Sequence, residues 1–76
     1  MDPDSAVVAS QVRAEIARRH IKPPEYHQLA ERIGMSESSF RRRYNGSITW
    51  RADELIRLAR DLGVPSSRFF PNERAA

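Results

Sequence analysis

The residues best suited to chemistry lie in the run Ser36 to Arg43, SESSFRRR, followed by Tyr44, Asn45 and Gly46. Three hydroxyls, one carboxylate and three guanidiniums within eight positions form a donor-rich set. The fork of a guanidinium gives two parallel hydrogen bonds to guanine N7 and O6 or to phosphate oxygens. From position 37 to 51 there are four arginines and one acid, so the chain's surplus of +3 falls in that stretch, while the remaining basic and acidic residues balance. Such a local field attracts a polyanion. On its own an arginine run is a solvated helix face; its place on the outer face of a helix directly after a turn, together with its share of the charge excess, is what gives this one a role.

Other chemistries find little footing. The serines lack a base and an orienting partner. His20 and His27 have no cysteine and no carboxylate at ligand spacing, so neither metal nor cofactor is expected, and no glycine-rich phosphate loop exists. The reading is therefore a binding domain and not an enzyme. A chain of 76 residues without cysteine must be stabilised by packing alone. Acidic residues near the start and the lack of a long apolar run lead to the expectation of a cytoplasmic protein.

The elements that would position the run are all helical. Val8, Ala9, Val12, Ile16 and Ala17 predict a first helix from about Asp4 to His20, and Pro23 with Pro24 breaks the chain. Tyr26, Leu29, Ala30 and Ile33 mark a short second helix ending at Gly34. Ser36 is a good N-cap for a third, in which Phe40 and Tyr44 face inward. Leu55, Ile56, Ala59 and Leu62 predict the buried face of a fourth, ended by Gly63 and Pro65, and a last turn at 66–70 offers Phe69 and Phe70 to the core. Trp50 reads as a core residue. The expectation is an all-α, compact four- to five-helix bundle, one domain over 1–76 with its core at about 4–70 and ragged ends at 1–3 and 72–76.

Helices two and three, joined through Gly34, Met35 and Ser36, have the spacing of a helix-turn-helix. At about 100° per residue, Ser38 and Arg42 point opposite Phe40 and Tyr44, with Arg41 and Arg43 on the flanks. Glu37, Ser38, Arg41 and Arg42 are the candidates for base edges; Glu37 can instead pair with Arg41 at i+4. Tyr26, His27, Ser36, Ser39, Arg43, Asn45 and Arg51 are the candidates for phosphates.

The segments LAERIGMSESSFRRRYNG, DELIRLARDLGVP and the terminal FF resemble the phage repressor and Cro type of helix-turn-helix domain, the XRE family, particularly short versions from actinobacterial phages. The resemblance covers about 26–70. It implies a lambda-repressor-like bundle whose third helix enters the major groove, usually as half of a homodimer on a palindromic operator. It also implies base reading by Glu37, Ser38 and Arg42 and a phosphate contact by Asn45. Two departures stand out: Tyr26 replaces a frequent Gln that buttresses the third helix, and Tyr44 replaces a frequent Glu, removing an Arg–Glu brace between helices one and three. The function expected is a double-stranded DNA-binding regulator, a Cro-like or immunity repressor. The rival is a protein-interaction module on the same scaffold, of antitoxin or anti-repressor type.

Overall fold

The computed structural model describes residues 3–70, and within them the chain forms four α-helices and two 3₁₀ turns with no strand. The helices are α1 (Pro3–Arg18), α2 (Tyr26–Arg32), α3 (Glu37–Asn45) and α4 (Ala52–Leu62); the 3₁₀ turns are Pro23–Glu25 and Ser66–Phe69. Pro3, expected in a ragged end, instead starts α1, where a missing N–H costs nothing. The ends expected at 1–2 and 72–76 lie outside the described residues.

Helix α1 stops at Arg18, two residues before the expected end, because His20 takes a left-handed conformation with φ of 57°. The Ile21 N–H then reaches back to the Ile16 carbonyl at 3.3 Å, so one end-of-helix acceptor is satisfied as the chain turns. Pro23 and Pro24 open a 3₁₀ turn in which the Glu25 carboxylate accepts the Lys22 N–H at 3.1 Å.

The connection from α2 to α3 is built from two local devices. Gly34, at φ of 82°, reverses the chain, and the Met35 N–H closes the turn on the Ala30 carbonyl at 3.0 Å. A Cβ at Gly34 would meet nothing within 4 Å, so the requirement there is the backbone angle and not the space. The Ser36 hydroxyl then accepts the Ser39 N–H at 3.2 Å and starts α3.

The core joins Val12 and Ile16 of α1, Tyr26, Leu29, Ala30 and Ile33 around α2, Phe40 of α3, Trp50, Leu55, Leu58 and Ala59 at α4, and Phe69 of the last turn. Each large side chain buried here contributes about 1.5–3 kcal/mol. Phe40 is the centre of an aromatic group: its ring lies 5.2 Å from Tyr26, 6.0 Å from Tyr44 and 6.0 Å from Trp50. Phe69 is wholly buried, while Phe70 is only partly so and packs against the same core.

Helix α4 corrects one expectation. Ile56 is 44% exposed, and Leu58 takes the buried position expected for it. Leu55, Leu58, Ala59 and Leu62 follow i, i+3, i+4, i+7, which places Ile56 about 110° from the middle of the inner stripe. Among the described residues two carboxylates, Glu15 and Glu54, are also buried. Glu15 is 2% exposed and accepts from Arg18 at 2.7 Å, Arg19 at 2.8 Å and Arg68 at 2.9 Å, tying α1 to the last turn. Arg19 extends this contact by donating Nε–H to the Leu62 carbonyl at 2.9 Å. Among the described residues no helix is long and apolar enough to cross a membrane.

Candidate nucleic-acid interface

The outward side of α3 follows from its inward one. With Phe40 fully buried and Tyr44 half-buried, Ser38 and Arg42 are exposed on the other side, one turn apart. The Ser36 and Ser38 hydroxyls lie 3.3 Å apart at the start of the helix. The Arg42 side chain makes no ion pair or hydrogen bond among the described residues, although its carbonyl accepts the Ser47 N–H at 2.8 Å in the turn that ends α3. Its guanidinium is therefore presented to solvent with its fork intact.

The neighbouring arginines are committed elsewhere. Arg41 donates Nε–H to Glu37 Oε2 at 2.7 Å, stacks its guanidinium 5.1 Å from the centre of the Tyr26 ring, and places Nη2 3.3 Å from the Pro23 carbonyl. Of the two roles open to Glu37, the intrahelical pair is the one adopted. Arg41 thus clamps the start of α2 to α3, and a bidentate approach to guanine through its Nε edge would require it to leave Glu37.

Arg43, expected at phosphates, is turned inward instead. Its Nε–H donates to Glu54 Oε1 at 2.9 Å and its Nη1 to the Ser39 carbonyl at 3.1 Å, leaving its side chain only 15% exposed. Glu54 Oε1 also accepts the Arg51 N–H at 2.9 Å, so one oxygen both caps α4 and anchors α3. The partner of Arg43 is a carboxylate of the protein because Glu54 would otherwise be buried without a cation.

Tyr26 is the second correction. It is 5% exposed, a core residue and not a surface hydroxyl waiting for phosphate. Burial, then a hydrogen bond with Tyr44 and the proximity of that phenol, push its ionisation up to about 12 against a small opposing effect of Arg41. Tyr26 supports α3 from beneath through ring contacts with Phe40 and Tyr44.

The remaining candidates for phosphates stay at the surface. His27 is exposed and its Nδ1 lies 3.2 Å from the Pro24 carbonyl. Asn45 is exposed at the end of α3; Ser36 is exposed but its hydroxyl serves as the cap, and Ser39 is half-buried. Arg51 is paired with Asp53 at 3.2 Å, yet its side chain is 73% exposed, so this contact is weak and readily exchanged. The local surplus read from positions 37–51 is thus largely neutralised by Glu37, Glu54 and Asp53, and Arg42 is the cation of α3 left without an ion pair among the described residues.

Three contributors carried no clear local signal. Arg13 donates Nη1–H to the Tyr44 carbonyl at 2.8 Å, so α1 and α3 are braced through the backbone although the Arg–Glu pair is missing. Glu15 and Glu54 read as ordinary surface acids, although Glu54, three residues beyond Arg51, stands at a capping-box position. Trp50 is buried as expected, but its Nε1–H has no partner among the described residues.

The family model of the BetR domain matches residues 3–76, nearly the whole chain. No curated protein and no solved structure gives a significant match.

Proposed function

Because the chain belongs to the BetR-domain family, a family of small, helix-turn-helix-like helical domains, we propose that it is a sequence-specific double-stranded DNA-binding regulator of transcription. Its finer role is that of a Cro-like or immunity repressor that occludes a promoter. The observation that carries this reading is Arg42: exposed, without an ion pair among the described residues, and one turn from exposed Ser38 on the outward side of α3.

In the proposed complex the outward side of α3, from Ser38 to Arg42, enters the major groove. Arg42 donates two hydrogen bonds to guanine N7 and O6, and Ser38 reaches an adjacent base edge or phosphate. Arg51, Asn45 and His27 hold phosphates and fix register, with the first exchanging Asp53 for the DNA backbone. Arg41 and Glu37 hold the helix in place, and Glu37 is kept away from phosphate repulsion by its own cation. Two copies would bind half-sites about one helical turn apart.

Selection of bound fragments from a random duplex pool, followed by footprinting, tests the reading. A palindromic consensus with guanine in each half-site is expected, together with affinity that falls steeply with log salt. A sample that enriches no sequence at low ionic strength would overturn it.

A further inference from the structure

A second charged surface lies outside α3. Arg32 at the end of α2 and Arg57, Arg60 and Asp61 of α4 line an open depression of about 440 Å³. Its cations are unequally committed. Arg32 is locked to Asp61 by two parallel hydrogen bonds at 2.9 and 3.1 Å, and this pairing holds its guanidinium more firmly charged. Arg57 is held only loosely, by Asp53 at 3.3 Å with both side chains about half exposed. Arg60 makes no ion pair or side-chain hydrogen bond among the described residues.

We propose that this depression is a docking surface for an acidic segment of a protein partner. Arg57 and Arg60, at i and i+3, face the same way and offer two guanidiniums to carboxylates. Asp61 and the Arg32 pair at the other side mix acceptor with donor. A peptide suits that mixture, because it brings N–H groups for the carboxylate as well as acidic side chains for the arginines. A bare phosphate or a DNA backbone brings acceptors alone and would meet Asp61, with the further negative field of Glu25 acting on Arg32. Ile56, 44% exposed and four residues before Arg60, adds an apolar contact on the same flank. None of these residues belongs to the outward side of α3, so this surface is independent of the DNA reading.

The experiment follows the arginine Nε–H resonances of the isotope-labelled full chain during titration with a short synthetic peptide alternating glutamate and leucine. Saturable shifts centred on Arg57 and Arg60 are expected. The Arg57→Gln/Arg60→Gln double variant should weaken binding by about tenfold, or about 1.4 kcal/mol, while Arg42→Ala leaves it unchanged. Both variants alter exposed side chains, and an unchanged melting curve verifies the fold. Shifts centred on Arg42, equal affinity of wild type and double variant, displacement by an equal concentration of inorganic phosphate, or loss of duplex DNA binding in the double variant would each overturn the assignment. The last two outcomes would make the surface a general anion or DNA contact.

Discussion

The Arg13 guanidinium of α1 donates to the Tyr44 backbone carbonyl in the last turn of α3, 2.8 Å away and 31 residues along the chain. A cation at the carbonyl end of a helix also opposes the negative pole there. Arg13→Met should therefore destabilise the domain by about 1–2 kcal/mol, near the low end for a hydrogen bond to a charged group because the released carbonyl can turn to water. Urea denaturation checks this, and an unchanged midpoint would mean that the brace is idle.

Arg43 and Glu54 make the contrasting case of a pair that is nearly enclosed. Arg43→Met leaves the Glu54 carboxylate buried without its cation and should cost about 3 kcal/mol. A double-mutant cycle with Glu54→Gln should give a coupling energy above about 1 kcal/mol. The salt dependence of DNA binding should not change in Arg43 variants that remain folded. A flattened salt slope with normal stability would restore Arg43 to the phosphate contacts.

Glu15 ties the stability of the fold to pH on the acid side. Burial pushes its ionisation up, but the hydrogen bond from Arg68 and the charges of Arg18, Arg68 and Arg19 together hold it below its ordinary value. A carboxyl depressed in the folded state contributes stability above its unfolded value, and that contribution is lost as pH falls through the folded one. Urea midpoints measured from pH 7 down to pH 3 should fall, and Glu15→Gln should be less stable at pH 7 while losing less on acidification. Parallel curves for the two proteins would contradict the assignment.

Tyr26 supplies the alkaline counterpart. Its phenol is raised in the folded state to about 12, so stability is intact below the ordinary tyrosine range and declines as pH rises towards that value. Absorbance titration should show one tyrosine ionising late. Tyr26→Phe should leave DNA affinity and its salt slope nearly unchanged, because the side chain is packed in the core and not presented at the surface. A lowered salt slope would return the hydroxyl to the phosphate set.

These cases show why the sequence disclosed one side of α3 and concealed the other. The opposition of Ser38 and Arg42 to Phe40 and Tyr44 is a consequence of helical period alone, and Gly34, Ser36 and Gly46 announce where that period starts and stops. The fate of Arg43 depends on a carboxylate of another helix, which no local spacing reveals. The charge surplus over 37–51 looked large because the window closed just before Asp53 and Glu54, the two acids that answer Arg51 and Arg43. Ile56 and Leu58 are equally apolar, and only the full α4 stripe, continued to Leu62, decides between them. Arg13 was invisible for a different reason: its acceptor is a main-chain carbonyl, which every residue possesses.

The proposed function depends above all on Arg42 reading bases. Its direct test is the sequence preference of Arg42→Ala against wild type across a library of single-base operator variants at fixed salt. A loss of about 1–3 kcal/mol for the preferred site is expected, with relaxed discrimination at one guanine per half-site. An affinity reduced equally for every operator variant, with base preference intact, would contradict it.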